Sequence, residues 1–334
     1  MSFKLMCWDH ARYVKNTSRP YDEMAREMAR KKAIGIETVI VYMAEVINLD
    51  VYCKAAAENG IAVQAWITPK IWISNPVTRF LPEAKWLEME KRHGIRLSSP
   101  CPNHPHNRQS MIANTMKLAE EYAGRVEAIH LDAIRTENAL LTRDFPCECE
   151  ACRALRKRFL GYEILSEDDL KNPGIIYKEL DLKNSSISEI VQAVKAIADK
   201  NNLRLTMAGR ANYLNQPDIE KAPVWGLGPA VMEGQDWVKW SDNGWVDEIY
   251  TMNYHTDKTL FTRVLNEHIR LLDGSGAGFC SGIGVESSMG KNRPEQVAEY
   301  IQKVKAIGLS GCVFFNKTDV FEPEYEAVIK ASRE

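Results

Sequence analysis

Short apolar runs bounded by turn-forming residues, each followed by a stretch whose apolar positions recur every three to four residues, repeat from one end of the chain to the other. The runs predict strands over 4–8, 38–43, 62–68, 126–132, 203–208, 248–253, 278–285 and 311–316. Helical periods fall over 21–33, 51–59, 106–123, 186–200, 258–272, 294–307 and 324–332, and residues 235–242 fill the slot between the fifth and sixth strands. Eight strand–helix units in 334 residues match a parallel (β/α)8 TIM barrel, because a doubly wound sheet normally stops at fewer strands. No linker, low-complexity tract or internal sequence repeat interrupts the alternation, so residues 1–334 are expected to form a single barrel domain.

Composition narrows the partners. The chain is 45% hydrophobic, enough to bury a large core, and its formal net charge is -2 with no basic run. Neither nucleic acid nor an anionic membrane is indicated; a small-molecule or oligosaccharide substrate is, and a homo-oligomer is compatible with the composition. The chain enters a strand-like stretch at once, with no signal-like segment and no run of membrane-spanning length, so a cytoplasmic protein is expected. Cys7, Cys53, Cys280 and Cys312 stand singly in apolar contexts and read as small buried hydrophobes.

The other four cysteines are grouped. Cys147, Cys149 and Cys152 lie within six residues, and Cys101 precedes a helical segment. Thiolates at this density suit a closed tetrahedral zinc site, which is structural because no coordination position remains for substrate. The zinc would tie the long loop after strand four to the loop after strand three.

In a barrel of this kind, chemistry belongs where strands end and the following loops begin. Those ends carry Trp8, Asp9 and His10 on strand one; Tyr42 and Glu45 on two; Trp66 on three; and His130, Asp132 and Arg135 on four. They continue with Arg210 and Tyr213 on five; Asn253, Tyr254, His255 and Asp257 on six; Glu286 on seven; and Asn316, Lys317 and Asp319 on eight. Aromatic faces stack on the apolar faces of sugars, while amides, arginines and carboxylates bind hydroxyls. Trp8, Tyr42, Trp66, His130, Arg135, Arg210, Asn253, Tyr254, His255 and Asn316 are therefore expected to bind substrate, with Trp8, Trp66 and Tyr254 as stacking surfaces. His130 reads equally well as a satisfied core histidine.

Asp132 and Glu286 are the expected catalytic pair, since glycosidic cleavage needs one carboxylate to attack or activate water and one to serve the leaving oxygen. Asp132, with Arg135 nearby, is assigned the nucleophile's role and Glu286 the acid/base's, for a retaining enzyme; Asp257, Asp319 and Glu45 are reserves. Two alternatives remain. One is a catalytically silent sugar-binding barrel. The other is a lyase or aldolase-type barrel with Lys317 as Schiff-base amine and Gly282-Ile283-Gly284 cradling phosphate ahead of the seventh helix.

The segment from Cys101-Pro102-Asn103-His104-Pro105 through the strand at Asp132 to Cys147-Glu148-Cys149-Glu150-Ala151-Cys152 resembles the zinc segment of family 42 β-galactosidases. That resemblance implies a barrel with four cysteines on zinc near the active site. Where the family ends its fourth strand with Asn-Glu, this chain has Ala133-Ile134. The run Ile129-His130-Leu131-Asp132, together with Gln235-Asp236-Trp237, Trp240, Gly244, Val246-Asp247 and Met252-Asn253-Tyr254, is more similar to uncharacterised glycosyl-hydrolase-like barrels. In these the aspartate ending strand four is the proposed catalytic residue.

Overall fold

The computed structural model describes residues 3–10, 20–43, 49–96, 98–136, 144–212, 230–318 and 320–333. Eight parallel strands close on themselves: β1 (Lys4–Asp9), β2 (Thr38–Tyr42), β3 (Ala62–Ile67), β4 (Ala128–Leu131), β5 (Arg204–Gly209), β6 (Glu248–Thr251), β7 (Gly278–Ser287) and β8 (Gly311–Asn316). Each pairs with its successor, and β8 returns to β1 with Lys4 opposite Gly311 and Cys7 opposite Phe314. The expected (β/α)8 barrel is the observed fold.

Strand alternation divides the buried residues into two sets. Met6, Trp8, Ile40, Trp66, Ala208, Tyr250, Cys280 and Val313 fill the inside of the barrel. Leu5, Cys7, Val39, Val41, Ile129, Leu131 and Leu205 point outward and pack under the helices. Both faces of each strand are covered, which is why the strands read as continuous apolar runs. Cys7, Cys53, Cys280 and Cys312 are all buried.

Among the described residues the helices of six residues or more are α1 (Tyr21–Ala33), α2 (Leu49–Glu58), α3 (Glu83–His93), α4 (Pro105–Tyr122), α5 (Glu150–Leu160), α6 (Pro173–Lys200), α7 (Trp237–Asp242), α8 (Lys258–Leu272), α9 (Pro294–Ile307) and α10 (Pro323–Ala331). Three differences from the sequence reading stand out. α3 and α5 lie in the insertions after β3 and β4; the first buries only Met89 and the second only Cys152 and Arg156, so the apolar stripe of each is short. α6 begins at Pro173, well before the expected residue 186. Pro173 opens its first turn and the Asn172 side chain caps it, accepting from the amides of Gly174 at 2.9 Å and Ile175 at 3.4 Å. No described helix is long and apolar enough to cross a membrane.

Candidate functional site

A cavity of about 310 Å³ opens at the C-terminal end of the barrel. Its walls are Trp8, Trp66, Tyr254 and Phe315, the small or flexible Ala208, Ala211, Met252 and Met289, and the polar Asp132, Arg135, Arg210, Ser288 and Lys317. The rings interlock: Tyr254 stacks on Phe315 with centroids 5.0 Å apart, and Trp8 meets Tyr254 edge-on at 5.8 Å. His10 completes this group, 5.2 Å from both Trp66 and Phe315. Tyr42 lies behind Trp66 at 4.9 Å and outside the cavity wall.

Tyr254 owes its place to two glycines. A Cβ on Gly282 would come within 2.9 Å of the Tyr254 ring and 2.3 Å of the Thr251 carbonyl, and one on Gly284 within 3.0 Å of Tyr254. Gly282-Ile283-Gly284 therefore lies inside β7 as a recess for a tyrosine. It is not a phosphate cradle, and α9 does not start until Pro294. Burial, and then the Asp132 carboxylate, push the Tyr254 hydroxyl well above its ordinary value, so it stays protonated.

Asp132 follows β4 directly and lines the cavity. Its Oδ1 accepts from the Ala133 amide at 2.6 Å and lies 3.4 Å from Arg135 Nη1; Ala133 takes a left-handed φ of 51° at this turn. Behind it stands a carboxylate that the sequence reading missed. Glu233, 1% exposed, receives Arg210 Nε at 2.9 Å and Arg135 Nε at 3.3 Å on the same oxygen. Burial and the adjacent Arg135 lower the Arg210 guanidinium to about 10. Glu233 sits in a short helical turn between β5 and α7, where no periodic pattern marks it. Phe315 was also missed, although its alternation with Val313 on β8 could have revealed it.

Glu286 stands at the rim, outside the cavity wall, with Oε1 3.7 Å from Lys317 Nζ. The irregular register between Gly284 and Glu286 opposite β8 marks the point where β7 bends away.

Several expected substrate contacts are held elsewhere. His130 is wholly buried within the barrel, accepting from Trp8 Nε1 at 3.2 Å, and burial lowers it to about 3. Asn253 donates to the Phe261 carbonyl at 3.0 Å, Asn316 donates to the Val320 carbonyl at 2.7 Å, and His255 is buried and lowered to about 4. These side chains fasten loops or fill the core, so none of them meets the cavity. Asp9 points outward to Lys31 and Tyr52, and Asp257 caps α8 through the Leu260 amide at 2.7 Å. Glu45, Tyr213 and Asp319 lie outside the described residues.

The cysteines form a second centre. Cys101 comes from the β3 insertion and the other three from the β4 insertion, and all four sulfurs lie within 4.8 Å of one another. Cys101 Sγ is 3.4, 3.6 and 3.9 Å from those of Cys152, Cys149 and Cys147. Sulfurs on a tetrahedral zinc at about 2.3 Å would be about 3.8 Å apart, so the spacing fits that ion. Supporting donors are also in place. Asn103 Nδ2 reaches Cys152 Sγ at 3.2 Å, the Phe80 amide reaches Cys147 Sγ at 3.4 Å, and Arg156 holds the Cys147 carbonyl at 2.8 Å.

No protein-family model and no curated protein matches the chain. Solved structures do. The PgaB (BpsB) glycoside hydrolase domain from Bordetella bronchiseptica has a TM-score of 0.72 over 98% of both chains at 11% identity. An endo-1,4-beta-mannanase from Rhizomucor miehei reaches 0.57 over 99% of this chain and 93% of its own at 11% identity. A chitinase from Chromobacterium violaceum reaches 0.55 over 99% of each at 11% identity. The chain thus has a barrel fold shared with glycoside hydrolases of several kinds.

Proposed function

We propose that the protein is a glycoside hydrolase acting on a small glycoside or oligosaccharide. The observation that carries this reading is Asp132 in the wall of a cavity that it shares with four aromatic rings, at the end of the barrel where such enzymes work. The rings supply apolar faces for a sugar, and Arg135, Arg210 and Ser288 supply hydroxyl partners. The neighbours in fold, whose names describe action on glycans, agree with it.

In the proposed reaction Asp132 attacks the anomeric carbon while Glu286 protonates the leaving oxygen; Glu286 then takes a proton from the water that releases the sugar, giving net retention. Support for Asp132 is its position in the cavity. Support for Glu286 is its place at the rim beside Lys317, a residue of the cavity wall. A zinc ion on Cys101, Cys147, Cys149 and Cys152 would tie the two insertions together and take no part in the chemistry.

Screening aryl glycosides with wild type and Asp132→Asn tests the proposal. Cleavage of at least one glycoside, lost in the variant, is expected. Cleavage that survives in Asp132→Asn removes Asp132 from the mechanism, and no cleavage across the panel favours a silent sugar-binding barrel.

A further inference from the structure

His130 of β4 and Trp8 of β1 belong to a chain of hydrogen bonds along the barrel axis in which every donor is determined. An indole N–H can only donate, so Trp8 Nε1 at 3.2 Å makes His130 Nε2 an acceptor and assigns the proton to Nδ1. Nδ1 then donates to Thr206 Oγ1 at 2.9 Å, and that hydroxyl donates to Gln64 Oε1 at 2.8 Å. The Gln64 amide nitrogen donates to Tyr250 Oη at 2.8 Å and to Glu127 Oε1 at 2.9 Å, which fixes the amide's orientation. Tyr250 donates onward to Glu248 at 2.9 Å, and Arg204 holds Glu248 at 3.0 Å near the opposite end of the barrel. His130 also stacks on Tyr250, with centroids 5.3 Å apart and planes 21° apart.

Reversing any link would set two donors or two acceptors face to face in a space closed to water. The chain therefore has one direction, and it ends on a ring that forms the cavity wall.

We propose that His130 is the positioning residue of the sugar platform: its Nε2 holds the indole of Trp8 in the cavity wall, and Thr206 fixes the tautomer that lets it do so. The proposal rests on the reading that this cavity binds a sugar. It accounts for a histidine beside the site that does not line the cavity, and for polar residues running through a barrel interior that apolar side chains could fill.

The test has one arm independent of activity. ¹⁵N NMR of histidine-labelled protein should show His130 neutral, protonated on Nδ1 and unchanged between about pH 8 and 5. The Trp8 indole resonance, identified by its loss in Trp8→Phe, should move in Thr206→Val, stay in place in Thr206→Ser, which keeps the hydroxyl, and stay in place in Cys312→Ala, a buried control outside the chain. With an aryl glycoside that wild type cleaves, Thr206→Val should raise KM about fivefold with kcat nearly unchanged. A His130 proton on Nε2, titration near 6, or an unmoved Trp8 resonance in Thr206→Val overturns the proposal. If Thr206→Val does not fold, His130→Gln takes its place, with the same shift of the Trp8 resonance expected and an unmoved one again decisive. If no glycoside is cleaved, the functional reading fails while the NMR arm still decides this one.

Discussion

Arg210 Nε lies 2.9 Å from an oxygen of Glu233 that also receives Arg135 Nε at 3.3 Å, and Arg135 in turn reaches Asp132 at 3.4 Å. The four groups alternate in charge, and only Glu233 is withheld from the cavity wall. Removing its charge leaves two largely buried guanidiniums short of a partner. Glu233→Gln is therefore expected to lower unfolding free energy by about 3–5 kcal/mol in denaturant titrations and to reduce turnover by releasing Arg135 from beside Asp132. Wild-type stability in this variant would show that the alternating set is dispensable.

Trp66 is 5% exposed, packed with Trp8 and Tyr42 as well as facing the cavity. Trp66→Ala should cost about 3–5 kcal/mol and weaken binding together. Trp66→Phe, which keeps most of the volume, separates the two effects. A melting temperature for Trp66→Ala equal to that of wild type would show that Trp66 serves the cavity and not the core.

The roles of the two carboxylates separate by rescue with azide. On an activated aryl glycoside, Asp132→Ala should yield the glycosyl azide of inverted configuration and Glu286→Ala the retained one. A retaining pair would hold its carboxyls about 5–5.5 Å apart once substrate is bound, and an inverting pair about 6.5–9.5 Å. Near-normal turnover in both variants would discard the pair.

Protein purified without added metal should carry about one equivalent of zinc by elemental analysis. Cys152→Ser should lose it and make the two insertions sensitive to proteolysis, with the barrel intact by circular dichroism. A zinc content near zero in wild type contradicts the site.

Burial lowers His130 to about 3 and both His255 and His268 to about 4. Between those values and about 6.5 the unfolded chain binds protons that the folded chain does not, so acidification favours unfolding. Stability should be level above about pH 7, fall as pH drops through about 6.5, and stop falling on this account near 3 to 4. The loss is on the order of a few kcal/mol per imidazole. A stability curve flat from pH 7 to 5 would show that these rings accept protons while folded.

Much of this molecule was legible without coordinates, because the readable features are local. Eight apolar runs with helical periods between them specified the barrel: a strand covered on both faces must be apolar throughout, and its neighbours in sequence are its neighbours in space. The spacing of Cys147, Cys149 and Cys152 was legible for the same reason, since a short loop delivers its own ligands. Asp132 followed from its place at the end of a predicted strand, 126–132.

The tertiary structure alone decided which strand-end residues face the cavity. His130 on β4 and Asp132 just past its end are two positions apart, yet one is enclosed by Trp8, Thr206 and Tyr250 while the other reaches the opening, because depth along the barrel axis is set by all eight strands together. Glu233 became visible only when Arg135 and Arg210, far apart in the chain, converged on it. Gly282 and Gly284 took their meaning from the side chain of Tyr254, just past the end of the neighbouring strand. A sequence pattern reports which side of an element is apolar; it carries no information about which distant groups share a carboxylate, a recess or a hydrogen bond, and those are the relations from which a site is made.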